Sequence, residues 1–204
     1  MAKRIITISR EFGSGGRVIG KMVAEKMGIA FYDRDIIALV AEKSGFAVNF
    51  VEEVDEEITS SFLFNIVTSG LYSNSGFTRT DMPIQDNVFL IQNTVINEIA
   101  AKEPCVIVGR SADYILRKRT DCLHVFIHAD MEHRKARAVN HYGWQLPEKN
   151  IEKELQKKDK ARANHYRRYT DQIWGLSRNY HVTLNSGHFG LEGCADIIVE
   201  LANK

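Results

Sequence analysis

Short β-branched runs alternate with amphipathic stretches along most of the chain. The hydrophobic runs predict strands near residues 4–9, 29–32, 105–109, 123–128 and 180–185. The amphipathic stretches predict helices at about 16–27, 34–44, 88–101, 131–142, 148–172 and 190–202. In the first of these helices, Val18, Ile19, Met22, Val23 and Met27 share one face. Because strands that alternate with helices are typical of crossover units, the pattern predicts an α/β fold with a parallel sheet.

The segment 44–87 interrupts this alternation between the second and third predicted strands. It holds an acidic patch at 52–57, an apolar cluster at 62–67 and a polar stretch at 69–76. Such a segment is either a small helical insertion or a mobile flap, and it either covers a bound acceptor or is a tolerated surface insertion. Phe62, Phe64 and Phe77 belong to a core or to the interface of a homodimer, and the sequence leaves both open.

Length and charge limit the classes of protein that this chain can form. With 204 residues, 44% of them hydrophobic, the chain is long enough for one α/β domain and short for two, so we expect a single domain over 1–204. Lysine and arginine number 27 and aspartate and glutamate 26, which leaves a net charge of +1. No overall field then attracts nucleic acid or membrane, and any anion site must be local.

The cellular compartment is predicted from sequence features that are absent. It has no apolar run long enough to span a bilayer and no signal-like start, so we expect a cytoplasmic protein without membrane contact. Cys105, Cys122 and Cys194 are scattered and form no C-x-x-C pair. Reduced, structural thiols are therefore expected.

A glycine-rich turn joins the first predicted strand to the first predicted helix. Glycines allow positive φ and turn successive N–H groups inward, and the helix that follows adds the positive end of its dipole. This arrangement predicts a phosphate site, with the nucleotide held by Gly13, Ser14, Gly15, Gly16, Arg17 and Val18. The alternative is a glycine-rich turn that serves tight packing alone.

The turn departs from the usual phosphate loop, G-x-x-x-x-G-K-[ST], at three positions. Glu11 stands where the first glycine belongs, Arg17 replaces the lysine, and Val18 replaces the hydroxyl that ligates magnesium. Arginine still neutralises phosphate, with a planar fork that can form two hydrogen bonds. Magnesium would be held by phosphate oxygens, by water and by Ser14 or a nearby carboxylate.

Four stretches together resemble a known family. They are S-R-E-F-G-S-G-G-R at 9–17, V-I-V-G-R-S-A-D at 106–113, H-V-F-I-H-A at 124–129 with E-H-R-K-A-R at 132–137, and K-D-K-A-R at 158–162 running on to 187. These stretches resemble the loop, the G-R-D turn, the arginine-rich helix and the lid of the cytidylate kinases, in their divergent cytidylate kinase-like branch. The resemblance implies a three-layer P-loop fold, with a five-stranded parallel sheet in the order 2-3-1-4-5, flanked by helices, and a lid at about 143–175.

The same resemblance implies an ATP-dependent nucleoside monophosphate kinase that uses Mg²⁺ and phosphorylates CMP or dCMP. Arg17 would approach the β- and γ-phosphates, Arg110 would face the acceptor phosphate, and Arg162 would close over the nucleotide from the lid. Asp33 occupies the position of the family's aspartate after the second strand, where it would orient the acceptor or hold magnesium through water. A carboxylate there could equally cap the helix that starts near Asp35.

Three departures from the family keep other functions open. Val108 and Ser111 stand where acidic residues flank the G-R turn, and residues 32–35 do not reproduce the small turn that cradles the acceptor. The chain could therefore be a nucleotide-binding regulator that has lost turnover. It could also be a kinase for a different small phosphorylated acceptor.

Two further classes of site are disfavoured. In the stretch 156–170, basic residues alternate with Tyr166 and Tyr169, a composition that could bind a nucleic-acid backbone and stack on its bases. The near-zero net charge and the lack of any other basic tract argue against nucleic-acid binding. His124 and His128 share a strand face, yet four residues along a strand separate them by about 13 Å, so they cannot bind one ion. We therefore expect no metal site built from protein ligands alone.

Overall fold

Five parallel strands form one sheet in the order β2-β3-β1-β4-β5, as predicted. The computed structural model describes residues 4–46, 48 and 83–204. The strands are β1 Ile5–Arg10, β2 Ala30–Tyr32, β3 Cys105–Val108, β4 Cys122–His128 and β5 Val182–Asn185. The helices are α1 Gly16–Met27, α2 Asp35–Ser44, α3 Ile84–Lys102, α4 Ala112–Ile115, α5 Met131–Tyr142, α6 Glu148–Thr170 and α7 Ser186–Ala202, with a 3₁₀ turn at Ser177–Asn179.

Strand β1 lies at the centre of the sheet and is hydrophobic on both faces. Ile5, Ile6 and Ile8 are fully buried, and Ile6 pairs with Val106 of β3 on one side and Leu123 of β4 on the other. A strand with helices over both faces buries every position, which explains the unbroken run of β-branched residues. Since all neighbouring strands are parallel, their carboxyl ends meet along one edge.

Helices α1 and α7 supply much of the core around this sheet. Ile19 and Val23 of α1 and Cys194 and Ile198 of α7 are fully buried in the same cluster as the β1 isoleucines. The face predicted for α1 is thus the buried one. All three cysteines are free and buried, as expected, and burial raises the pKa of Cys105 to about 12.

The chain divides into two compact units. One comprises residues 1–33 with 99–204 and holds the whole sheet, and the other is Arg34–Glu98. In the second unit Ile36 and Val40 of α2 are buried, and Lys43 Nζ pairs with the carboxylate of Glu98. The expected single domain stays a prediction.

Most of the segment predicted as an insertion or flap, 44–87, lies outside the described residues, as do Phe62, Phe64 and Phe77. Its role and any dimer interface within it stay predictions. In the described part of the chain, none of the helices combines the length and hydrophobicity needed to cross a bilayer.

Element ends differ from the predicted ones where local caps act. Helix α7 begins at Ser186 rather than 190, because the Asn185 side chain accepts a hydrogen bond from the Gly187 N–H at 2.9 Å. The predicted start coincides with a kink at Gly190, which has φ 70°. Helix α6 ends at Thr170 rather than 172, since Asp171 turns into the left-handed region at φ 55°. Helix α3 begins at Ile84 rather than 88, and the four residues of α4 were not predicted as a helix.

Candidate active site

The glycine turn between β1 and α1 follows a path that favours glycine. Gly13 and Gly15 have φ of 84° and 79°, and Gly15 is the N-cap residue of α1. No side chain caps this helix, so the N–H groups of its first turn stay available to an anion. The predicted phosphate cradle therefore has the necessary backbone.

Ser14 fixes the turn from inside. Its hydroxyl donates to the Glu11 carbonyl at 2.9 Å, and its own carbonyl accepts from the Ser186 hydroxyl at 2.6 Å. The Ser14 side chain is buried and directed into the turn. It is thus placed to hold the loop's shape, and its contact with magnesium stays a prediction.

Arg17 and Asp33 form an ion pair at the carboxyl edge of the sheet. Arg17 Nε lies 2.7 Å from Asp33 Oδ2, and the Arg17 side chain is 61% exposed whereas that of Asp33 is 8% exposed. Helix α2 has Arg34 at its N-cap and no side-chain cap. Asp33 therefore acts as an ion-pair partner rather than as the helix cap that the sequence left open.

Arg10, the last residue of β1, reaches the same place and was missed by sequence reasoning. Its guanidinium lies 4.0 Å from Asp33 and so close to Gly109 that a Cβ built there would be 2.0 Å from Arg10 Nη1. Burial lowers the pKa of Arg10, and the charge of Asp33 opposes this change. Its position at the carboxyl end of a central strand is the signal that could have identified it.

Arg110 stands in a strained turn after β3. Gly109, Arg110 and Ser111 have φ of 77°, 59° and 50°, so two residues with side chains adopt the left-handed region in succession. Such strain costs about 1–3 kcal/mol per residue and is found chiefly at functional turns. The turn places Arg110 at the end of β3, where an acceptor was predicted.

The imidazole of His165, on α6, lies near Arg110. Burial, together with the charges of Arg110 and Arg168, lowers the pKa of His165 to about 4. His165 is therefore neutral at physiological pH between two arginines.

Asp113 lies beneath this region in a buried hydrogen-bond network. The Ser9 hydroxyl donates to Asp113 Oδ1 at 3.1 Å, and the Tyr166 hydroxyl donates to Oδ2 at 2.7 Å. Burial raises the pKa of the Asp113 carboxyl. Asp113 thus joins β1, α4 and α6, and it does not take the place of the acidic residue for which Ser111 stands.

Helix α6, predicted as part of a lid, is hydrogen-bonded directly to the glycine turn. Arg162 Nη1 donates to the Arg10 carbonyl at 3.1 Å, and the Phe12 N–H donates to Asp159 Oδ1 at 2.7 Å. Arg134 of α5 donates from Nε to the Phe12 carbonyl at 2.7 Å and pairs with Asp159. Arg162, predicted from sequence, therefore lies at the loop, while Asp159 and Arg134 were missed.

Aromatic packing strengthens this contact. The Phe12 ring lies 5.5 Å from Trp144 in a stacked arrangement and 5.3 Å from the Arg162 guanidinium. Phe12 and Trp144 also pack on a cluster formed by Ala138, Ile151 and Leu155. The turn and the lid consequently share one hydrophobic contact.

Arg137 adds a basic group beside the turn. Its guanidinium carbon and Nε lie 3.4 Å from the position that a Cβ on Gly15 would occupy. Among the residues that the structure describes, Arg137 Nε is buried without a hydrogen-bond partner. A buried donor beside a phosphate cradle is suited to an anionic ligand. The E-H-R-K-A-R stretch was the available signal.

Metal ligands are sparse around the site. Within 4–46, 48 and 83–204, no three histidine, cysteine, aspartate or glutamate side chains gather as a cation site would require. The helix position after Arg17 is Val18, which offers no oxygen.

Comparison with known proteins agrees with this geometry. The sequence model of the cytidylate kinase-like family matches residues 5–188. A cytidylate kinase from Archaeoglobus fulgidus is 30% identical over 96% of this chain and 92% of its own length. An uncharacterized protein from Eubacterium ventriosum superposes with a TM-score of 0.70, at 25% identity and 98% of both chains. Shikimate kinase from Acinetobacter baumannii in complex with shikimate superposes with a TM-score of 0.53 at 17% identity. The match covers 97% of this chain and 91% of the shikimate kinase chain.

Proposed function

Because the chain belongs to the cytidylate kinase-like family, we propose that it transfers the γ-phosphoryl group of ATP to a nucleoside monophosphate, with CMP and dCMP as first candidates. The observation that supports this best is the convergence of two left-handed glycines, the uncapped start of α1 and the lid residue Arg162 on one loop. The coarser conclusion, a nucleotide-kinase-like phosphotransferase, follows from the family and from the P-loop kinase fold.

The donor would be bound by the glycine turn. Uncapped N–H groups at the start of α1 suit a polyphosphate, and Arg17 in the first turn of α1 and Arg137 beside Gly15 would neutralise it. ATP with Mg²⁺ supplies the transferable phosphoryl group and part of the charge neutralisation. Since Val18 has no oxygen, Mg²⁺ would be held by phosphate and water, with Asp33 as the nearest candidate to contact that water.

The acceptor would bind at the ends of β2 and β3. In open parallel sheets, ligands occupy the crevice at the carboxyl ends of the strands. Arg110 is held there by the strained turn and would contact the acceptor phosphate. Asp33, between Arg10 and Arg17, would orient these cations toward the reacting groups.

Arg162 would act on the transferring group from the lid. Phosphoryl transfer needs positioning and charge stabilisation more than covalent participation by the protein. A guanidinium bonded to the carbonyl of Arg10 lies beside the cradle before any ligand arrives. The contact of Phe12 with Trp144 would help the lid to keep water away from the loop during transfer.

A regulator that binds nucleotide without turnover is the second candidate. It is favoured by the 2.7 Å pair between Arg17 and Asp33, which holds the main donor-side cation on a carboxylate, and by Val18. A kinase for another small phosphorylated acceptor is the third, because residues 32–35 differ from the family's acceptor turn.

One assay separates these functions. Purified protein is incubated with Mg²⁺-ATP and each common nucleoside monophosphate, and ADP is measured. Turnover with CMP or dCMP above all others supports the proposal. ATP binding without ADP supports the regulator, and activity confined to another phosphorylated metabolite supports the third function.

A further inference from the structure

We propose that Arg10 binds the phosphate of the acceptor substrate and aligns it with the glycine turn. This inference rests on the proposed kinase function and gives a role to a residue of β1 that the resemblance left without one. It follows from the way two glycines make room for the side chain and from the imbalance of charge around it.

Two glycines flank the Arg10 side chain and determine its direction. A Cβ at Gly16 would lie 2.6 Å from Arg10 Cβ, and a Cβ at Gly109 would lie 2.0 Å from Arg10 Nη1. Real Cβ atoms do not approach so closely, so a side chain at either position would displace Arg10. The glycine at the start of α1 therefore makes room for the Cβ and Cγ of this side chain, and the glycine after β3 makes room for its guanidinium.

The positive charge of the Arg10 guanidinium is only partly compensated by its neighbours. The Asp33 carboxylate serves two arginines, and it lies 2.7 Å from the Arg17 guanidinium but 4.0 Å from that of Arg10. Arg10 is only 22% exposed, and a buried charge is costly unless it is paired and hydrogen-bonded. The lowered pKa of Arg10 reflects that cost. An anionic ligand would supply the pairing that one shared carboxylate does not.

The position of the guanidinium assigns it to the acceptor. The side chain extends from β1 toward Gly109 at the end of β3 and Asp33 at the end of β2. Arg134 and Arg137, by contrast, reach the turn from α5, after β4. Because Arg110 directly follows Gly109, which the Arg10 guanidinium contacts, both arginines belong to the surroundings of one turn. We place the acceptor phosphate there and the donor phosphates on the α1 side.

The role is electrostatic and positional. A phosphate oxygen of the acceptor forms a bond to the γ-phosphorus of ATP while the bond from that phosphorus to the β–γ bridging oxygen breaks. The electron pair leaves with ADP, and a dianionic acceptor needs no base. Two anions must approach for this step, and a fixed guanidinium reduces their repulsion and can hold a phosphate with two hydrogen bonds.

The test uses Arg10→Lys and Arg10→Gln in the full-length protein, with Lys21→Gln as the matched control. Lys21 is an exposed basic residue of α1 whose partner is Glu25 at 3.7 Å. The readouts are KM for the best nucleoside monophosphate, KM for ATP, and calorimetric binding of CMP and of a non-hydrolysable ATP analogue. Thermal unfolding shows which variants are folded.

We expect Arg10→Gln to raise the acceptor KM at least about tenfold, the loss expected for a hydrogen bond to a charged group, while KM for ATP changes by less than about twofold. Arg10→Lys should restore part of the acceptor affinity, because it keeps the charge and loses the fork. If Arg10→Gln does not fold, the change in the acceptor KM is compared with the change in the ATP KM in Arg10→Lys instead. Equal loss for both substrates, or no loss for the acceptor, would overturn the role of Arg10.

Failure of the function itself would look different. Wild-type protein that binds CMP and the ATP analogue but forms no ADP would contradict the kinase, and the Arg10 assignment would then stand or fall on CMP binding alone. Wild-type protein that binds the ATP analogue but neither CMP nor any other nucleoside monophosphate would overturn the Arg10 inference.

Discussion

Glu11 illustrates how one side chain can explain a departure from a motif. It stands where a phosphate loop has its first glycine, and its carboxylate accepts from the Ala129 N–H at 3.2 Å and lies 3.3 Å from Arg134 Nη1. The substitution thus fastens the turn to the end of β4 and to α5. Glutamate in place of glycine reduces the conformational freedom of the turn, and the charge-assisted contact with the buried Arg134 offsets that loss.

Arg17 should govern donor affinity. In Arg17→Ala we expect the Kd for ATP to rise about ten- to hundredfold, because a charge-assisted hydrogen bond to phosphate is lost. Calorimetry measures this, with Lys21→Ala on the same helix as control. An unchanged Kd in Arg17→Ala would remove this residue from the site.

His165 should make stability depend on pH. Its pKa is about 4 in the folded protein against a usual 6.5, so the unfolded chain binds more protons between these values. The contribution is fully present above pH 6.5 and is lost as pH falls toward 4, by up to about 3 kcal/mol. Urea unfolding of wild type and His165→Gln at several pH values checks this. Parallel curves for the two proteins across that range would refute it.

The glycine turn and helix α6 behave as one unit in this structure. Asp159 accepts from the Phe12 N–H, Arg162 donates to the Arg10 carbonyl, and Phe12 packs with Trp144. The main chain of the turn is thus held by side chains of α6 as well as by the turn's own hydrogen bonds, so we expect a substitution in α6 to alter the turn.

Arg162 should affect turnover more than affinity. An arginine that stabilises charge in the transition state contributes about three to five powers of ten in rate. We therefore expect Arg162→Ala to lower kcat by about three powers of ten with a much smaller change in the KM for ATP. Lys153→Ala, at an exposed position of the same helix, is the control. Steady-state kinetics measures both constants, and a rise in KM with an unchanged kcat would contradict the assignment.

Features of the whole fold could be predicted from the sequence where they depend on residues close together in the chain. The glycine turn and the buried face of α1 follow from periodicity and from residues adjacent in sequence, whereas the strand order was implied by the resemblance to the cytidylate kinases. The contact of Phe12 with Asp159 spans 147 positions, and that of Arg134 with Phe12 spans 122. Such pairs leave no periodic trace, so Arg134 and Asp159 emerged only from the folded chain. Arg10 did have a signal, its position at the carboxyl end of a central strand, which the sequence reasoning did not use.

The proposal that the backbone turn at residues 11–18 binds phosphate is the one from which every functional assignment above proceeds. The most direct test is a crystal structure of the full-length protein with ADP and Mg²⁺. We predict the β-phosphate within hydrogen-bond distance of the N–H groups of Gly15, Gly16 and Arg17, with the Arg17 guanidinium turned from Asp33 toward it. Nucleotide bound elsewhere, or a turn whose N–H groups face away from the phosphate, would contradict this.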